Sequence, residues 1–289
     1  MTAALLLQGA FALQAEERPY REEIERWRQQ REERLKADGG WLSVAGLFWL
    51  EQGANTFGSD RANAIVLPSG PPRAGVFELS GGRVHVRLEP KVEAAVDGKP
   101  VTEKDLRPDS AGSPEVMTLG RLSLHVIVRG GRYGIRMKDP ESKMRREFAG
   151  LSWFPVKEEM RVAARLVPDA SAPKISIPNV LGQVEEMESP GKVVFSLGGR
   201  ELSLSPVLES ADAKELFFIF KDLTAGKETY PGGRFLYASL PKDGTVVLDF
   251  NKAYSPPCAF TAYATCPLPP KQNRLDTRIE AGEKFSGHH

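Results

Sequence analysis

Three glycine pairs, Gly81-Gly82, Gly130-Gly131 and Gly198-Gly199, each stand between two runs in which apolar and polar residues alternate. A tight two-residue hairpin turn needs positive φ at both central positions, and glycine adopts that conformation without steric cost. The flanking runs are 76–79 with 84–88, 122–128 with 133–137, and 193–197 with 201–204. Alternation at period two places the apolar side chains of each run on one face of a strand. Further strands are expected at 161–167, 216–220, 235–239 and 245–250. The pairs fall at uneven intervals, so they mark separate hairpins and no sequence repeat. The expected fold is therefore mainly β: antiparallel β-sandwich or barrel-like sheets with an N-terminal α-helix.

The helix is read at 16–40. Tyr20, Ile24, Trp27 and Leu35 fall near one stripe at helical spacing behind Pro19, and Gly39-Gly40 supplies a stop. From Glu16 to Lys36 there are seven acidic and seven basic residues, which suits a solvated helix lying across a sheet. No coiled-coil register survives three heptads. Before it, residues 1–15 are uncharged and rich in Ala and Leu, like the apolar core of an export signal without its basic leader. They are expected to direct export to the periplasm or the cell exterior. The alternative is a short apolar helix on a cytoplasmic protein. No window offers the roughly 20 apolar residues of a membrane span. Residues 286–289, Ser-Gly-His-His, read as a tag remnant, which leaves His85 and His125 as the histidines of interest. The Pro/Ala/Ser stretch at 168–173 has linker composition, giving a first β subdomain at 41–167 and a second at 174–285. One continuous sheet system is the alternative, and composition leaves the oligomeric state open.

Charge excludes one broad class. There are 39 Lys+Arg against 38 Asp+Glu, a formal net charge of +1, whereas a nucleic-acid binder usually carries a strong basic excess. The average conceals a local cluster. Between Arg129 and Arg146 stand Arg129, Arg132, Arg136, Lys138, Lys143, Arg145 and Arg146 against Asp139 and Glu141, seven minus two, or +5. Even spacing puts Arg132, Arg136 and Lys138 on one strand face, where arginine could hold a carboxylate or phosphate in bidentate fashion. A solvent-facing strand with ordinary surface charge explains the same pattern.

The segment from Asp249 to Phe285 is the least ordinary in composition. Pro256-Pro257 and Pro267, Pro269 and Pro270 bracket Cys258 and Cys266, with Tyr254, Phe260 and Tyr263 alongside. So much proline forbids a helix or a central strand and predicts an ordered loop, where binding groups often sit. The cysteine spacing fits a local Cys258–Cys266 disulfide in an exported protein, or two buried thiols. A metal site would need two more ligands, and no cofactor motif is present: there is no GxSxG, HExxH, Walker A or GxGxxG after a strand. The polar, Gly-rich stretch from Lys221 to Arg234 reads as a long turn between strands.

In order along the chain, WLSVAGLFWLEQGANTFGSD, RYGIRMKDPESKMRREFAGLSWFP, ETYPGGRFLY, LDFNKAYSPPCAFTAYATCPLPPKQNRL and EAGEKF resemble the domain of unknown function 1684 family, from about Tyr20 to Phe285. The resemblance implies no activity. It points to an ordered site drawn from Arg136, Asp139, Arg146, Tyr230, Arg234, Asn251, Tyr254, Cys258, Cys266, Asn273, Arg274 and Glu283. The family pattern usually carries Asn before Pro-Pro-Cys and Glu before Asn-Arg-Leu. Ser255 and Gln272 stand there in this chain, so a role needing those side chains does not carry over. The first half is also similar in layout to forkhead-associated β-sandwiches at 53–58, 65–67, 96–101 and the strand at Leu122. Ser59 follows Gly58 where the phosphothreonine-reading Arg would stand, and no Ser-x-x-His follows, so the likeness implies a sandwich without phosphopeptide binding.

Three functional expectations compete. The first is binding of a small anionic molecule between the basic strand near Arg136 and the 249–285 segment, with Arg136, Arg146 and Arg274 on the anion and Tyr254 and Phe260 as an apolar wall. The second is a hydrolase-type enzyme using Tyr254, Asp139 and Glu283. The third is an envelope structural or partner-binding protein presenting the helix at 20–37.

Overall fold

The computed structural model describes residues 3–169, 171, 174–285 and 287, with side chains from Pro19 onward. The expected tag remnant at 286–289 lies outside the described residues except for Gly287, and the side chains of 1–15 lie outside them too. A helix, Ala3–Lys36, opens the chain and runs through Pro19 instead of starting there. The proline forfeits one backbone donor, and the helix continues on either side of it. No helix of the described residues is long and apolar enough to cross a membrane.

The chain divides into two compact units: residues 1–34 with 149–289, and residues 35–148. The linker-like stretch at 168–173 lies within the first unit, where Pro168 ends a strand and pairs with Gly191. The units divide at 34/35 and 148/149, the first being built from both ends of the chain.

The unit 35–148 is a two-sheet sandwich. One sheet has the strand order Val44–Trp49, Arg132–Lys138, Leu122–Arg129, Val116–Leu119, Ala94–Val96, Lys99–Val101. The other runs Ile65–Val66, Gly53–Gly58, Gly75–Ser80, Arg83–Leu88, Glu103–Leu106. Every pairing but one is antiparallel, Gly53–Gly58 with Ile65–Val66 being the parallel one. A single core fills the space between the sheets, with Met117, Leu124, Val126 and Ile135 from one and Phe57, Phe77 and Val86 from the other. The run at 55–60, which reads as loop from its Asn, Thr, Gly and Ser, is largely strand. Its one large apolar residue, Phe57, is fully buried and stacks on Phe77 with ring centroids 4.4 Å apart. Buried Asn55 supplies donors to the carbonyls of Glu51 and Phe77, which removes the cost of placing an amide there.

In the first unit a four-stranded antiparallel sheet runs Arg200–Leu204, Gly191–Leu197, Arg161–Pro168, Thr245–Asp249. Three two-stranded pairs accompany it: Glu215–Phe220 with Arg234–Ser239, Lys174–Pro178 with Val184–Glu188, and Ser152–Trp153 with Glu283–Lys284. Leu216 to Phe220 are all buried, so this strand reads as a continuous apolar run, and Phe218, Phe220, Leu236, Leu248 and Phe250 meet in one core. All three glycine pairs form the expected hairpin turns, each residue at φ between 54° and 77°.

Candidate functional site

The helical stripe of the first unit carries more than apolar side chains. Tyr20 and Ile24 are buried against Val156. Arg28 and Arg31 occupy the same side, each only 8 % exposed. Arg28 lies over the Trp153 ring and donates to the Phe154 carbonyl at 2.8 Å. Arg31 donates from Nε to Glu283 Oε2 at 3.3 Å and from Nη2 to the Ser255 carbonyl at 2.9 Å. Its guanidinium also sits 4.5 Å above the Tyr254 ring and 5.6 Å from that of Phe260. Burial pushes the Glu283 carboxyl above its ordinary range, and the Arg31 charge opposes that push.

Glu283 and Arg234 reach their buried positions by the same local device. Gly282 has φ +80°, and a Cβ there would stand 2.3 Å from the Ala253 carbonyl oxygen. Gly233 has φ +95°, and its Cβ would stand 2.5 Å from the Phe220 carbonyl oxygen. Each glycine lets main chain approach main chain, and the next residue then points a charge inward. Arg234, 1 % exposed, bonds Asp222 Oδ1 at 3.2 Å, the Ile279 carbonyl at 2.9 Å and the Ala281 carbonyl. Asp222 in turn accepts from the Ile279 amide and the Thr224 hydroxyl. The stretch from Lys221 to Arg234 is thus an ordered frame around a buried ion pair.

Other members of the expected set are frame as well. Asn251 is fully buried and bonds Tyr20 Oη, Asp249 and both main-chain groups of Lys157. Asn273 ties together the Ser205 main chain and the Ile219 carbonyl. Tyr230 packs edge-on to Phe285, and burial raises its phenol. The Cys258 amide donates to Cys266 Sγ at 3.1 Å, and no disulfide joins the two residues. Arg274 is exposed. Ser255 meets Arg31 through its carbonyl, a contact that any residue at that position could supply.

Arg136, Asp139 and Arg146 belong to the unit 35–148, and Tyr254 and Glu283 to the other. Arg136 is not a solvent-facing strand residue: it is 5 % exposed and lies over the Trp41 ring. Arg132 covers Trp49, Lys138 donates to the Gly39 carbonyl, and Arg129 pairs with Asp109. Asp139 accepts a two-pronged contact from Arg121 at 2.8 and 3.0 Å, which holds its carboxyl below the usual range. The +5 cluster is largely consumed in organising its own unit. Arg146 is exposed.

What the first unit brings together instead is a cleft of about 750 Å³. Trp27, Tyr237 and Tyr254 supply aromatic surface. Five cations line it, Arg31, Arg34, Arg161, Lys242 and Lys252, against the two carboxylates Glu215 and Asp249, five minus two, or +3. Arg31 is matched by Glu283, and Lys252 by Glu23 at 2.5 Å. Arg34, Arg161 and Lys242 make no ion pair among the described residues. Tyr237 and Tyr254 lie nearly parallel, 13° apart with centroids at 6.4 Å, and Tyr237 donates to Glu209 at 2.9 Å. Burial raises both phenols, that of Tyr254 to about 12, so both act as neutral hydrogen-bonding groups near pH 7. Of the expected site residues, Tyr254 lines this cleft, and Phe260 and Glu283 support it through Arg31. The cations on the helix and on Arg161–Pro168 were missed. A basic residue at Trp27 plus four, inside the apolar stripe, was the available signal.

Among the described residues no group of three His, Cys, Asp or Glu side chains is placed to hold a metal ion. No curated protein matches the chain. A solution NMR structure of an uncharacterised protein from Haloarcula marismortui is similar at 33% sequence identity, over 48% of this chain and 78% of that one, with a TM-score of 0.41. A model of the family described as "protein of unknown function (DUF1684)" matches residues 146–284. The match begins within the second resembling string, at Arg146, so WLSVAGLFWLEQGANTFGSD lies outside it. Its range covers the PGGR, SPPC and EAGE strings that build the frame of the first unit, and over these residues the chain belongs to this DUF1684 family.

Proposed function

We propose that the first unit binds a small anionic ligand in the cleft beside the N-terminal helix. The observation that carries the reading is the set of five cations lining the cleft beside aromatic surface, of which Arg34, Arg161 and Lys242 form no ion pair among the described residues. These three side chains are exposed and hydrated, and an organic or inorganic anion would replace water on their donors with charge-assisted hydrogen bonds. The buried Arg31–Glu283 pair fixes the helix against Tyr254, so the cations and rings are pre-positioned and little ordering cost falls on binding. In this reading the 249–285 segment contributes Tyr254, as expected from sequence, while the basic partner is the helix and Arg161 in place of Arg136.

Isothermal titration of the full chain with inorganic phosphate, sulfate and acetate at low ionic strength tests it. Saturable binding of at least one is expected. An Arg34→Gln/Arg161→Gln double variant is expected to weaken it by about tenfold or more, since a charge-assisted hydrogen bond contributes roughly 1.5–3 kcal/mol and ~1.4 kcal/mol is tenfold. No saturable binding of any of the three, or unchanged affinity in the double variant, would overturn the proposal.

A further inference from the structure

Resting on that reading, we infer that the anion is carried by an aromatic body, an aryl phosphate or aryl carboxylate, with the ring in contact with Tyr237 and Tyr254 and the charge on Arg34 and Arg161.

Three observations lead there. The cleft measures about 750 Å³, within the roughly 300–1,000 Å³ range of sites that enclose drug-sized organic molecules. Its aromatic surface comes from three neighbouring rings: Tyr237 and Tyr254 are stacked close to parallel, and Trp27 stands 6.3 Å from Tyr254 at 53°. Rings meet such surfaces in offset-stacked or edge-on geometry at centroid separations of about 4.5–7 Å. The rim also exposes apolar side chains that an inorganic anion would leave in water. Leu240 is 44 % exposed and Val247 48 %. On Thr245–Asp249, Val246 and Leu248 turn into the core, so Val247 turns outward to the cleft. Cations, rings and an uncovered apolar rim in one cleft match a ligand with a charged end and a flat apolar end.

The experiment compares phenyl phosphate, butyl phosphate and inorganic phosphate by isothermal titration on the full chain. Phenyl phosphate is expected to bind at least tenfold more tightly than inorganic phosphate and more tightly than butyl phosphate. Val247→Thr and Leu240→Ser, exposed substitutions that leave the core intact, are expected to weaken phenyl phosphate roughly fivefold by removing buried apolar area, and to leave inorganic phosphate unchanged. Phenyl phosphate no tighter than inorganic phosphate would overturn this inference and leave the anion site standing. Butyl phosphate as tight as phenyl phosphate would overturn ring recognition. Failure of all three to bind would remove the anion site itself.

Discussion

Replacing Arg31 with Met tests the central joint of the first unit. Methionine retains an unbranched apolar stem, so the loss is mainly the charge, the bond to the Ser255 carbonyl and the contact with the Tyr254 ring. Glu283 is 1 % exposed, and removing one partner of a buried ion pair costs about 3–5 kcal/mol because the other charge stays buried without compensation. The loss depends on pH, with a sign fixed by the carboxyl. Burial raises the folded Glu283 carboxyl above its ordinary 4.5, so between 4.5 and the raised value the folded state holds a proton that the unfolded chain has released. Stability therefore falls as pH rises from 4.5 through the raised value. Arg31 opposes that rise, so without it the window extends upward and the effect deepens. Urea denaturation of wild type, Arg31→Met and Glu283→Gln at pH 5, 6.5 and 8 reads the outcome. Arg31→Met is expected to lose about 3–5 kcal/mol at pH 8 and to recover part of it at pH 5, ~1.4 kcal/mol for each pH unit by which the carboxyl's titration moves upward. Glu283→Gln is expected to lose stability without recovering on acidification, since no carboxyl is left to protonate. A loss below about 1 kcal/mol at pH 8, or an equal loss at pH 5 and pH 8 in Arg31→Met, would refute the reasoning.

In the unit 35–148, burial, followed by the charges of Lys138 and Arg136, lowers His125 from 6.5 to about 4. Stability from this group is present above pH 6.5 and lost as pH falls toward 4, by about 3 kcal/mol; NMR titration should find the imidazole neutral at pH 5, and a midpoint near 6.5 would sink the assignment. Gly282→Ala and Gly199→Ala both force an alanine to positive φ, but only the first drives Cβ into a carbonyl oxygen, at 2.3 Å, while Gly199 has open space. Chemical denaturation should show Gly199→Ala losing about 1–2 kcal/mol and Gly282→Ala distinctly more; equal losses would mean the Ala253 main chain yields freely.

The parts of the fold that depend on local chemistry were legible in sequence. Each glycine pair needs only its own backbone freedom to turn a chain whose flanks already alternate, and all three hairpins follow. The stripe at Tyr20 and Ile24, both buried, and half-buried Trp27 is equally local, because helical spacing is a property of a few turns. The division into units was not legible: Tyr20 meets Asp249 and Arg31 meets Glu283 across 229 and 252 positions, and no neighbouring residue signals such pairings. Reading the helix charges as an even surface mixture hid Arg28 and Arg31 for the same reason. A cation on a buried face is tolerable only if a distant partner exists. The strand at Gly53–Gly58 was concealed differently, its Asn55 and Thr56 having turn composition while bonding into the sheet.

The strings that make the sequence recognisable and the residues that line the cleft are, for the most part, different sets, and the structure gives a physical reason. PGGR and EAGE each combine a glycine at positive φ, in main-chain contact with a distant carbonyl, with a buried charge immediately after it. Such a pair tolerates little substitution, because a Cβ displaces backbone and a changed charge leaves its partner buried alone. Arg34, Arg161 and Lys242, in contrast, project from a helix end, a strand and a turn, where other side chains fit without moving the frame. A pattern defined by the frame therefore identifies the architecture that holds Tyr254 and Arg31 in place, while in the proposed reading the choice of ligand would rest with the less constrained cations and rim residues around them. In the proposed reading, chains that share PGGR, PPC and EAGE would share the platform, and differences at the positions of Arg34, Arg161, Leu240 and Val247 would retune which anion it accepts.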